Sequence, residues 1–152
     1  MRLSLLAVGS MRGATEAPLY NDYASRIKKS GRAIGLDGLH LTEIKDHHDA
    51  AAKLHAAIDA HKGFCIFLDE GGENWTSRHI ADRLGHWRDT NRGDALFVIG
   101  PADGLSDDLK ARADITLSMG KMTWPHMLAR AMVIEQIYRA QQILSGHPYH
   151  RD

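Results

Sequence analysis

The chain has 152 residues, 43% hydrophobic and 25% charged, the balance of a soluble globular protein forming one domain, residues 1–152, around one sizeable core. Nineteen basic and nineteen acidic side chains give a formal net charge of zero. That excludes a protein that coats nucleic acid by bulk electrostatics, though not a local basic face. No apolar run approaches the roughly 20 residues of a membrane helix, and the single Cys65 excludes an internal disulfide; both suit a reducing cytoplasm.

Strand-like and helix-like stretches alternate along the chain. Leu3 to Val8 is a short apolar run closed by Gly9, a buried strand and too short for a secretion signal. Ala14 to Lys29 carries Leu19, Tyr23 and Ile27 four apart, a helical face, and Gly31 and Gly35 end it. Leu39 to Ile44 alternates apolar and polar residues, a second strand. His48 to His61 is alanine-rich with a glycine stop at Gly63, a helix. Phe64 to Leu68 is a continuous apolar strand, after which Asp69-Glu70-Gly71-Gly72 predicts a turn. Thr76 or Ser77 caps a helix to about Asp89, with Ile80, Leu84 and Trp87 on one face.

Ala95 to Ile99 is another apolar strand, and Gly100 to Gly104 a tight loop. Ser106-Asp107-Asp108 opens a short helix with acidic residues at its positive end. A brief strand spans Ile115 to Leu117, an irregular loop Ser118 to Pro125, and a long final helix His126 to Ser145. The pattern predicts α/β architecture: a mostly parallel sheet of about five strands, flanked by helices on both faces.

In such sheets ligands bind beyond the carboxyl ends of the strands. The loops after Leu68, at Gly100–Gly104 and at Gly120–Pro125 occupy that position. Neither G-x-G-x-x-G nor G-x-x-x-x-G-K-[ST] occurs, which disfavours a nicotinamide oxidoreductase of Rossmann type and an NTPase. Backbone groups of the third loop can read the edge of a flat heterocycle while Met122 and Trp124 cover its faces. Trp124 and Pro125 serve equally well as a helix-starting wedge in the core. His47-His48 lies between Asp46 and Asp49, but no second cluster completes a zinc geometry, so no metal is expected. The final residues, His147-Pro148-Tyr149-His150-Arg151-Asp152, gather groups able to stack on a base, grip a phosphate and move a proton. A polar end that keeps the surface wet is the plain alternative.

Taken together, several of these stretches resemble one family. They are the Leu3-to-Gly9 strand, Leu68-Asp69, Ile99-Gly100-Pro101-Ala102-Asp103-Gly104-Leu105-Ser106, Thr123-Trp124-Pro125-His126 and the closing His-Pro-Tyr-His-Arg. Their order and the chain length are similar to the RlmH group of SPOUT methyltransferases, small enzymes that modify large-subunit ribosomal RNA. The resemblance implies an α/β fold with a C-terminal trefoil knot, a homodimer and S-adenosylmethionine as cofactor. It also implies methylation of N3 of a pseudouridine in 23S ribosomal RNA on the assembled ribosome.

Carried over by position, the cofactor pocket would use Leu68, Gly100, Pro101, Gly104, Gly120, Lys121, Met122, Thr123, Trp124 and Pro125. Tyr149, His150 and Arg151 would be the catalytic tail, with His150 taking the N3 proton, Arg151 balancing the uracil anion or holding a phosphate, and Tyr149 stacking on or hydrogen-bonding the base. Relatives usually read Gly-Gly-Pro-Glu-Gly in the second loop; Pro101 here removes a backbone N–H. The last helix has more apolar surface than one face needs, which suits core packing or a dimer interface, and Arg130 and Arg139 would contact RNA or solvate its exposed side. A non-catalytic ribosome-associated RNA-binding module is a further alternative.

Overall fold

The structure, a computed structural model, describes residues 1–149. Five parallel strands form one sheet in the order β2-β1-β4-β3-β5. They are β1 (Arg2–Val8), β2 (Asp37–Ile44), β3 (Phe64–Asn74), β4 (Ala95–Ile99) and β5 (Ile115–Ser118). The helices are α1 (Ala17–Gly31), α2 (Ala50–Ala60), α3 (Ser77–Asp89), α4 (Asp107–Lys110) and α5 (His126–Leu144).

Side chains alternate across a strand, so each apolar run feeds two cores. Leu3, Leu5, Ala7, Phe64, Ile66, Phe97 and Ile99 join residues of α1, α3 and α5 on one face. Leu6, Val8, Cys65, Phe67, Leu96 and Val98 join residues of α2 and α4 on the other. β4 is central and buried throughout, which is why its five residues are all apolar. Each Leu, Ile or Phe so buried contributes about 2 kcal/mol. β2 is an edge strand, with Leu41 38% exposed.

The predicted elements are all present, with two corrections. The chain does not turn after Leu68: β3 continues through Asp69–Gly72 to Asn74, and its pairing with β5 shifts register between Leu68 and Glu73. The glycines read as a turn, yet they serve close approach. A Cβ on Gly72 would lie 2.7 Å from the Thr116 carbonyl group, so only glycine lets the two backbones pass. α1 also runs further than predicted, through Gly31 into a 3₁₀ turn (Arg32–Ile34) that Gly35 closes at φ +70°. The Thr76 hydroxyl accepts the His79 N–H at 3.1 Å, capping α3 as the sequence predicts.

Candidate active site

Because the strands are parallel, all their carboxyl ends open on one edge of the sheet. The middle of β3 (Leu68–Glu70), the ends of β4 and β5 and the start of α5 surround a cavity of about 600 Å³, within the range of small-molecule sites. Ile99, Leu105 and Leu117 give it an apolar floor; Asp69, Glu70, Asp103 and Lys110 put charge on its wall.

Local chemistry shapes each loop. Gly104 (φ +86°) turns the loop after β4, its N–H bonded to the Pro101 carbonyl at 2.9 Å. A Cβ on Gly100 would meet the Leu105 side chain at 2.7 Å, so glycine there lets the loop close on its own leucine. Gly120 (φ +109°) turns the chain after β5, and the Ser118 hydroxyl accepts its N–H at 3.2 Å. The Trp124 indole N–H reaches the Met119 carbonyl at 3.2 Å, folding the loop over the cavity. His126 Nε2 lies 2.7 Å from the Gly100 carbonyl; a carbonyl only accepts, so Nε2 carries the proton. Burial lowers the His126 pKa and the Arg130 charge lowers it further, which keeps the ring neutral and Nδ1 an acceptor. The Asp69 carboxyl would be raised by burial, but the Lys110 ammonium at 2.7 Å and the Gly71 N–H outweigh this and hold it below its ordinary value.

Of the residues the sequence proposes for the cofactor, Leu68, Gly100, Pro101, Gly104, Gly120, Met122, Thr123, Trp124 and Pro125 all line this cavity. Lys121 does not; it is exposed beside it. Sequence reasoning missed Glu70, Lys110 and His126 as lining residues. Lys110 lies eleven residues beyond β4, and only the return of α4 brings it to Asp69.

Tyr149 lies outside this cavity. Of the proposed catalytic residues, His150 and Arg151 fall outside the described residues. The Tyr149 hydroxyl bonds to Tyr23 (3.1 Å) and Glu135 (3.0 Å), and its ring packs edge-on against Tyr138 beneath the Arg139 guanidinium. Burial and these two hydrogen bonds push its pKa up. Glu135 is nine residues along α5 from His126, about 14 Å of helix rise.

Arg130 corrects a further expectation. It is fully buried and cannot touch RNA. Its guanidinium donates to the Val8 and Gly9 carbonyls and pairs with Glu43 at 3.2 Å. Glu43 in turn accepts the Ser10 hydroxyl and the Met11 N–H. Arg139 is bonded to Glu135 at 2.6 Å.

Comparison with known proteins bears on this cavity. Residues 1–150 match the family described as Predicted SPOUT methyltransferase. The chain is 47% identical over 156 residues to the ribosomal RNA large subunit methyltransferase H of Ruegeria pomeroyi, covering 99% of each. It is 46% identical over 157 residues to the protein of that name from Roseobacter denitrificans, covering all of both. Among solved structures, a probable methylase family protein from Haemophilus influenzae Rd KW20 superposes with a TM-score of 0.55 at 12% identity, over 99% of this chain and 70% of that one; that likeness bears on the fold alone.

Proposed function

The chain belongs to the SPOUT methyltransferases, and on that premise we propose that it transfers a methyl group from S-adenosylmethionine to N3 of a pseudouridine in 23S ribosomal RNA, as one domain, on the assembled ribosome in the cytoplasm. The observation that carries this reading is the cavity where Leu68–Glu70 of β3 meet the loops after β4 and β5. Its volume and apolar floor suit an adenosyl group, and its carboxylates Asp69, Glu70 and Asp103 suit a cationic ligand. Gly100, Gly104 and Gly120 let backbone approach the ligand closely, while Met122, Trp124 and Leu105 cover a flat ring. The family's C-terminal knot is part of this reading, and the bond from His126 to the Gly100 carbonyl ties the start of α5 to the loop after β4.

When bound, the cofactor supplies an electrophilic methyl carbon on a positively charged sulfur. The chain must hold the acceptor nitrogen in line with that carbon, at roughly 3–3.5 Å. Transfer would form the N–CH₃ bond as the S–CH₃ bond breaks, and the chain would have to accept the N3 proton. His150 takes that proton, Arg151 stabilises the ring anion, and Tyr149 stacks on or hydrogen-bonds to the base.

Two copies act together in this reading. In its own chain Tyr149 is held over the Glu135–Arg139 turn, outside the cavity. This reading assigns His150 and Arg151, the two residues after Tyr149 in the sequence, to the cavity of the partner copy. The tail of a second copy, docked along α5, completes the site. Half-buried Leu128, Met132 and Tyr138 give that helix a surface for pairing.

The test is transfer of a tritiated methyl group to ribosomes lacking the modification, with the labelled nucleotide mapped by mass spectrometry. Incorporation at a pseudouridine N3 of the large subunit is expected. Binding without transfer would favour a non-catalytic module, and label at a ring carbon or in the small subunit would refute the assignment. Mixing His150→Ala chains with chains blocked at the cavity by Gly100→Trp should restore activity if the site is shared between copies.

A further inference from the structure

We infer that three exposed cations on three separate loops, Arg12, Lys45 and Lys121, form a phosphate-binding rim that seats an RNA strand across the cavity mouth. The inference rests on the functional reading above and names the surface by which that substrate is held.

Parallel strands put the loops after β1, β2 and β5 on the same edge as the cavity. Arg12 follows β1, Lys45 follows β2 and Lys121 follows β5, and all three are exposed. Other cations of this edge are engaged: Lys110 on Asp69, Lys53 on Asp49 and buried Arg130 on Glu43. Among the described residues, no ion pair occupies Arg12, Lys45 or Lys121. Lys121 sits in the loop that walls the cavity, exposed and outside its lining.

The first two cations are presented on a braced surface. The Glu43 carboxylate accepts the Met11 N–H at 2.6 Å and the Ser10 hydroxyl at 3.0 Å, and the Arg12 N–H donates to that same hydroxyl at 3.1 Å. The Gly9 N–H bonds to the carbonyl of Ile44, the residue before Lys45, at 2.7 Å. The Arg12 and Lys45 loops are therefore joined, and Arg130 neutralises Glu43 from behind. Asp46 and Asp49 are the acidic residues beside Lys45; Asp49 is paired with Lys53, and the Asp46 charge acts on His126.

The spacing fits a strand of RNA. Lys45 lies two strand spacings from the end of β4, roughly 10 Å from the cavity's Gly100. From β2 to β5 the edge spans four spacings, roughly 19 Å, or about five or six stacked nucleotides at 3.4 Å each. A base in the middle of that run would face the cavity while its neighbours' phosphates meet the cations. The chain's zero net charge makes such local contacts the available source of electrostatic grip.

The experiment is methylation of ribosomes by the full-length protein and by R12A/K45A, over a range of salt. Each single-stranded phosphate contact adds about 0.7 to the slope of log affinity against log salt. Losing two should flatten that slope by about 1.4 and raise KM about 25-fold at 0.1 M salt, with cofactor affinity by calorimetry kept. Lys121→Ala should add a further step of about fivefold. Lys62→Ala/Arg92→Ala, on exposed residues at the opposite edge, should match the parent. A short RNA strand should inhibit the parent better than R12A/K45A. An unchanged KM and salt slope would overturn the rim. So would equal inhibition of both proteins by the RNA, which would assign the cations to an acidic protein surface. A parent protein that transfers no methyl group would instead sink the functional reading, and the rim with it.

Discussion

Replacing Arg130 with methionine should cost about 3 kcal/mol of stability. The side chain is 0% exposed. Its loss strips donors from the Val8 and Gly9 carbonyls and leaves the Glu43 charge without its nearest cation. Breaking a buried pair from one side costs about 3–5 kcal/mol. The lower end applies because the Glu43 side chain keeps 27% of its exposure and its bonds from Ser10 and Met11. For a chain of this length the melting temperature should fall by about 6–12 °C. Urea unfolding followed by circular dichroism reads the change, with an unaltered m-value showing that the denatured state is the same. Arg130→Met/Glu43→Gln should recover about 1–2 kcal/mol of the summed single losses, because both charges leave the interior together. A single variant within 1 kcal/mol of the parent, or a double variant showing the full sum, would refute the buried-pair account. An arginine that only touched RNA would leave stability unchanged and raise KM.

Gly100→Ala should drive a Cβ into Leu105, 2.7 Å away, and push the loop after β4 outward; a cost of about 1–3 kcal/mol and a clear loss of S-adenosylmethionine affinity by calorimetry are expected, and parental values would contradict the close packing. His126 has a folded pKa below its ordinary value. Above the ordinary histidine value the ring is neutral folded or unfolded, and full stability is present; as pH falls through the depressed value, the unfolded chain binds the extra proton first and stability is lost. Melting between pH 7.5 and pH 5 should show this loss, and His126→Asn should reduce it; an identical pH profile in the variant would remove the ring as its source. Cys65 is buried, with its thiol pushed up to about 11, so at pH 8 a thiol reagent should label it only as fast as the protein opens; rapid labelling of the native protein would contradict its burial.

Much of the fold was legible in the residues. The apolar runs at Leu3–Val8, Phe64–Leu68 and Ala95–Ile99 can satisfy neither face in water, so a sheet covered on both sides follows from them. The Thr76 cap and the stop at Gly35 are local backbone chemistry, readable without a partner. Glycines at strand ends marked the loops that line the cavity. Local signals failed where a glycine served a distant neighbour: Gly71-Gly72 reads as a turn until β5 lies against it.

Tertiary structure alone decided which charges are paired. Nothing near Arg130 in the sequence shows Glu43, 87 residues away, and a surface role was the natural expectation for an arginine on a final helix. Lys110 and Asp69 meet only because α4 returns the chain over β3. Strand order then set what the sequence could not: which loops share an edge with the cavity, and so which cations face a substrate. Local propensity and hydrophobic pattern act over a few residues and determine elements; the pairing of charges depends on distances that exist only once the sheet has chosen its order.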